Sequence, residues 1–132
     1  MPVTYSIDVT GKLIRTTCSG AVTFAEVLDH FQSLGADPAC SGRLDVLLDL
    51  SETKSLPETP QLQSLGPTLG MIRGKAQFGD CAIVARRDAL FGMMRMFAVF
   101  AEKHFREIQV FHVVAEADRW LMSRPSAIDG EP

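Results

Sequence analysis

Three histidines and three cysteines are the side chains best suited to nucleophilic, acid–base or metal chemistry in this 132-residue chain. His30, His104 and His112 are far apart, and no two have the spacing that puts two imidazoles on one helical face. Cys18, Cys40 and Cys81 make no close pair and no His–Cys cluster. The pattern therefore points to no metal and no cofactor, and no acid, base and nucleophile can be assembled into a catalytic set. A couple such as Cys81 with His112 would have to meet in space, as triads do, and nothing in the sequence favours it. His30 is expected on the polar side of a helix. His104 should sit near a helix end, where a cationic imidazole suits the dipole, and His112 inside a strand. Cys18 and Cys81 fall in strand-like runs and read as small buried hydrophobes.

Anion-binding chemistry has better material. Arg86-Arg87 precede Asp88, and Ser51-Glu52-Thr53-Lys54 follow an apolar run. Thr59-Pro60 has the look of a helix N-cap followed by its first residue. Ligands of parallel α/β sheets bind beyond the carboxyl ends of the strands. Ser51, Thr53, Thr59, Arg86 and Arg87 are the candidate ligand-binding residues, with a phosphate or carboxylate held by guanidinium groups and free helix N–H groups. The alternative is a solvated turn with Asp88 as helix cap and both arginines in water.

Those positions depend on the elements around them. Val3, Tyr5, Ile7 and Val9 alternate with polar residues, and Leu13 to Ser19 returns after Thr10-Gly11-Lys12, which predicts an opening β-hairpin. Thr23 with Glu26 forms a capping box, and Phe24, Val27, Leu28, Phe31 and Leu34 recur at helical spacing up to Gly35. Leu44 to Leu50, Cys81 to Ala85 and Ile108 to Val114 are apolar runs suited to strands covered on both faces. Helices are expected over Thr59 to Gly74, Ala89 to Phe105 and Glu116 to Met122, with Trp120 on the inner face of the last. The order β-β-α-β-α-β-α-β-α predicts an α/β domain over residues 1–122. It has a mainly parallel sheet of about five strands, an antiparallel hairpin at its start and four helices. Residues 123–132 lack periodicity and are expected to be a flexible tail.

The helix over Ala89 to Phe105 is unusually apolar. Leu90, Met94, Phe97, Ala101 and Phe105 form its core stripe, Met93 and Phe100 widen it, and Met96 and Val99 lie toward the remaining face with Arg95, Glu102 and Lys103. Such an arc exceeds what one sheet contact needs. Either the helix is deeply buried, or Met93, Met96, Val99 and Phe100 form a homodimer interface or a gate over a small apolar ligand.

A net charge of −3 gives no basic footprint for nucleic acid. The longest apolar stretch is too short to span a bilayer, which takes about 20 residues. No secretory signal is evident, and unpaired cysteines suit a reducing compartment, so a cytoplasmic protein is expected.

The element order resembles the SpoIIAA-like (STAS-like) family of bacterial regulatory and binding modules. Three stretches carry the resemblance: Gly20-Ala21-Val22-Thr23 with Glu26, then Leu47-Leu48-Asp49-Leu50 leading into a Ser/Thr-bearing loop, and finally Val110-Phe111 with Glu116-Ala117 and Trp120-Leu121. The chain looks closest to an uncharacterised bacterial branch similar to the CRAL-TRIO lipid-binding domains. The resemblance implies a non-enzymatic regulatory or protein-interaction module, expected to be a homodimer, or alternatively a binder of a lipid-like ligand under the Met-rich helix. Antagonists of this family carry Asp-Ser-Ser-Gly where this chain has Pro57-Glu58-Thr59-Pro60. With no serine there, a phosphorylation switch is expected to be absent or weak.

Overall fold

The computed structural model describes residues 3–40, 42–54, 60–61, 63–64 and 76–124. Strands β1 (Val3–Asp8) and β2 (Leu13–Gly20) form the opening hairpin, paired from Val3 opposite Cys18 to Asp8 opposite Leu13. At its turn the Gly11 N–H donates to Asp8 Oδ1 at 2.9 Å. A β-carbon at Gly11 would lie 2.5 Å from the same carboxylate, so only glycine fits without displacing it.

Helix α1 (Phe24–Ala36) starts at the predicted capping box: the Glu26 N–H donates to Thr23 Oγ1, and the Thr23 N–H donates to Glu26 Oε1 at 2.8 Å. Gly35 does not end it. The helix runs to Ala36 and closes on Asp37, whose N–H reaches the Leu34 carbonyl and whose carboxylate accepts from the Tyr5 hydroxyl at 2.8 Å. The Asp37 N–H thereby satisfies a carbonyl left open at the helix end, and the Tyr5 hydroxyl ties that end to β1.

Strands β3 (Gly42–Thr53), β4 (Ala76–Val84) and β5 (Glu107–Phe111) complete a five-stranded sheet in the order β1-β2-β3-β4-β5, with every neighbour after the hairpin parallel. Between β4 and β5 runs α2 (Asp88–Ala101), continued by a 3₁₀ turn (Glu102–His104), and α3 (Val114–Ser123) follows β5. Residues 60–61 and 63–64 are helical, and the rest of the helix expected over Thr59 to Gly74 lies outside the described residues. So does most of the expected tail, although Ser123 closes α3 and Arg124 is tied into the fold.

Both faces of the sheet are covered, as the continuous apolar runs of β3 and β4 require. Cys18, Leu50, Cys81, Ile83 and Ala85 pack with Leu90, Met94, Phe97 and Ala101 of α2, and with Val27, Leu28 and Phe31 of α1. The two helices share one face, the outcome of successive crossovers of constant hand. On the other face Leu47, Ala82 and Val84 meet Ala117 of α3, with Trp120 and Leu121 at the margin. Trp120 is therefore half-buried rather than enclosed, its ring tilted against Phe111 and covered by Arg124.

A buried carboxylate locks the amino end of the parallel strands. β3 and β4 slip register between Leu44 and Val46, a bulge that leaves Asp45 facing Gly79 and Asp80. The Asp80 N–H donates to Asp45 Oδ1 at 2.8 Å. The Asp80 side chain is 0% exposed and accepts from Arg106 Nε at 3.0 Å and from Arg124 Nε at 3.2 Å, while Arg124 also reaches Glu107. Burial pushes the Asp80 carboxyl up, but the hydrogen bonds and charges of the two arginines outweigh it and hold the group below the usual carboxylate range. Asp45, with burial dominating, is pushed up.

Candidate functional site

The carboxyl ends of β2, β3 and β4 bring most of the candidate polar residues to one edge. Gly20 ends β2 with φ +67°, a backbone geometry that glycine adopts without strain, and turns the chain toward α1. Its carbonyl accepts from the Lys54 N–H at 2.8 Å, and the Thr53 hydroxyl donates to the Cys18 carbonyl at 3.2 Å. These bonds fix the end of β3 beside β2. Register shifts there by one residue, since Thr17 pairs with Asp49 but Ser19 pairs with Glu52. The Ser51 N–H meets the Asp49 carboxylate at 3.0 Å. Ser51 and Thr53 are thus half-buried parts of the strand end, and Thr53 already spends its proton on the backbone.

Arg86 leaves β4 and pairs with Glu52 at 3.2 Å, with side chains 64% and 67% exposed. Arg87 is the N-cap residue of α2, without a side-chain capping bond, and its carbonyl accepts the first helical N–H from Phe91. Asp88 is therefore the first helical residue, not the cap, and its charge complements the helix dipole. Its carboxylate lies 3.5 Å from Nε2 of His112. β5 stops at Phe111, so His112 follows the strand, where its ring stacks on Phe91 at 4.0 Å between centroids. The structure brings Ser51, Thr53, Arg86 and Arg87 to one edge, whereas Thr59 lies outside the described residues.

None of the thiols is set up as a nucleophile. Burial pushes the Cys18 thiol up to about 11 and raises Cys81 as well. Both stay protonated at neutral pH, and the thiolate is the reactive form. Cys81 pairs with Ile108, four residues before His112, which separates the two by about 13 Å along the strand. Cys40 is fully buried as well, beside Ile14 and Leu34. Among the described residues no group of three or more His, Cys, Asp or Glu side chains could hold a metal ion.

His30 departs from its expected place. It is turned inward, with Nε2 3.3 Å from the Thr16 hydroxyl, its ring edge-on to Tyr5, and Nδ1 buried without a hydrogen-bond partner. Burial lowers its pKa to about 4, so it is neutral at physiological pH. His104 is also buried, in the 3₁₀ turn. On the helical wheel of α1, position 30 lies beside Leu34, at the edge of the apolar stripe. That adjacency was the available signal, and the polar residue type hid it.

The second candidate surface is the outer side of α2. Leu90, Met94, Phe97 and Ala101 are buried as the periodicity required. Met93 and Phe100 are half-buried against the same core, whereas Met96 is 37% and Val99 63% exposed. The helix is thus not buried all round, and Met96 and Val99 form an outward apolar strip with the exposed Gly92 between the charges of Arg95, Glu102 and Lys103. Among the described residues no helix is long and apolar enough to cross a membrane.

No protein-family model, curated protein or solved structure matches the chain. The fold and these two surfaces define an α/β domain with a mixed five-stranded sheet, a polar carboxyl edge and an apolar helix face directed outward.

Proposed function

We propose that this chain is a cytoplasmic, SpoIIAA-like regulatory or protein-interaction module without a reaction of its own, working as a homodimer joined through the outer face of α2. The observation that carries this reading is the exposure of Met96 and Val99 on a helix whose opposite stripe already fills the core. Apolar side chains on two successive turns cost free energy in water, and a two-fold dimer is the commonest way to cover such a face. The antiparallel hairpin followed by parallel strands is the arrangement that the resemblance implies, and it supports the same reading. Against the alternative, an apolar ligand beneath α2, stands the packing of Leu90, Met94, Phe97 and Ala101 on Cys81, Ile83 and Ala85.

Met96→Glu tests the proposal. Light scattering after size exclusion should show the variant as a monomer and the wild type as a dimer. Circular dichroism should be unchanged, because a partly exposed residue can keep its charge in water. A wild-type monomer at high micromolar concentration defeats the reading, and a variant that still dimerises moves the interface elsewhere.

A further inference from the structure

Resting on that homodimer reading, we infer that the occupant of the α2 face is the α2 of a second copy, running antiparallel about a two-fold axis between Phe97 and Ala98. Only that orientation brings the opposite charges on the face into pairs. At 100° per residue, Gly92 and Val99 form the outermost line of α2, opposite the buried stripe, and the exposed Lys103 follows in the 3₁₀ turn that continues the helix. Arg95 and Glu102 flank this line on one side, and Met96, Met93 and Phe100 flank it on the other. Arg95 and Glu102 are both exposed, and Glu102 keeps helical dihedrals (φ −59°, ψ −30°), so it continues the α2 surface.

A two-fold axis perpendicular to the helix pair brings like flanks together and reverses their direction. Arg95 then comes within reach of the partner's Glu102, and Glu102 within reach of the partner's Arg95. Met96 lies opposite the partner's Val99. Gly92 lies opposite the partner's Lys103, whose aliphatic stem can cover the bare backbone. A β-carbon built on Gly92 meets nothing within 4 Å, so the notch opens outward. A parallel pair would instead turn the flank of Arg95 and Glu102 toward the partner's flank of Met96 and Phe100, leaving both charges without an ionic partner across the contact. Charge therefore selects the polarity, as flanking charges do in helix pairs. A contact made by helices of 14 residues is small, so the dimer should be a micromolar one.

Two experiments read the geometry directly. Arg95→Glu and Glu102→Arg should each weaken dimerisation about tenfold, since the two-fold axis repeats each clash, and the double variant should restore it. Gly92→Cys and Lys103→Cys proteins, mixed and mildly oxidised, should form a covalent dimer. Neither should do so alone, because identical positions on the two copies are 11 residues out of step, about 16 Å apart along the axis. The native thiols Cys18, Cys40 and Cys81 are buried and do not compete. Cross-linking of Gly92→Cys by itself would mean a parallel pair and overturn the inference. A dimer indifferent to both the charge reversals and the mixed cysteines would overturn it too, while leaving the homodimer reading in place. A monomeric wild type would remove both.

Discussion

The two ends of the sheet handle charge in opposite ways. At the amino end, the Asp80 carboxylate is wholly enclosed and shared by two guanidinium groups from distant parts of the chain. At the carboxyl end, Arg86 and Glu52 pair in water, and Asp88 is fully exposed. A buried carboxylate is tolerated only when its lone pairs are occupied, so the amino end is committed to structure. Charges at the carboxyl end carry no such obligation, which leaves that edge free to meet something else.

The largest effect is expected at Asp80. Asp80→Ala should cost about 3 kcal/mol in urea denaturation, the low end for breaking a buried ion pair. It is the low end because Arg106 and Arg124 are 33% and 26% exposed and can recover some hydration when the carboxylate goes. A loss below about 1 kcal/mol would place Asp80 among ordinary surface charges and dissolve the contrast between the two ends.

Trp120 comes next, because it carries the Arg124 guanidinium 5.1 Å from its ring centroid. A fully enclosed tryptophan would lose about 3–5 kcal/mol on truncation. Half-buried, Trp120→Ala should lose about 2 kcal/mol, and it should soften the effect of Asp80→Ala in the double variant, since both act through Arg124. Additive effects would mean that the ring and the ion cluster stabilise the fold independently.

Much of this organisation can be read from the residue pattern, and the exceptions have two causes. The hairpin, the capping box of Thr23 and Glu26, the three parallel strands and the buried stripe of α2 are local or periodic signals, so they were legible. The Asp80 cluster joins residues 26 and 44 positions away, and no local pattern announces such a partnership. His30 and Asp88 depart from expectation because position outweighs residue type: the polar ring at the edge of an apolar stripe turns inward, and the acidic residue at the start of α2 belongs to its first turn rather than its cap. Of the candidate site, the strand ends placed Ser51, Thr53, Arg86 and Arg87 on one edge, but the commitment of Thr53 to the Cys18 carbonyl required the register shift in β3.

Acid should separate buried from exposed titration. His30 is neutral in the folded protein down to about pH 4, while in the unfolded chain it protonates near its ordinary 6.5. Between those values the unfolded state binds more protons, so stability should fall as pH drops from about 6.5 to 4, by at most about 1.4 kcal/mol per pH unit. Asp80, with its pKa held low, contributes stability above the carboxylate range, which is lost only as pH falls further, through its lowered folded value. Thermal melts across this range should show both limbs, and His30→Gln should flatten the upper one alone. An upper limb unchanged in His30→Gln would assign it to another group.

The smallest effect, and the one that defines the open edge, is expected at Arg86. Its ion pair with Glu52 spans 3.2 Å, yet both side chains are about two-thirds exposed. Water already solvates each charge there, so bringing the two together gains little Coulomb energy and costs side-chain freedom. Arg86→Ala should therefore change stability by less than about 0.5 kcal/mol, and so should Glu52→Ala. A double-mutant cycle measures what the pair itself contributes, and the coupling should be no more than a few tenths of a kcal/mol at moderate salt. Repeating the cycle at low and high salt separates a screened surface pair, whose coupling vanishes, from one sheltered by its surroundings. A coupling above about 1 kcal/mol that resists salt would mean that Arg86 holds the end of β4 to β3 as Arg106 holds its middle to the start of β5. The carboxyl edge would then be a second structural clamp, and of the two candidate surfaces among the described residues the α2 face would remain.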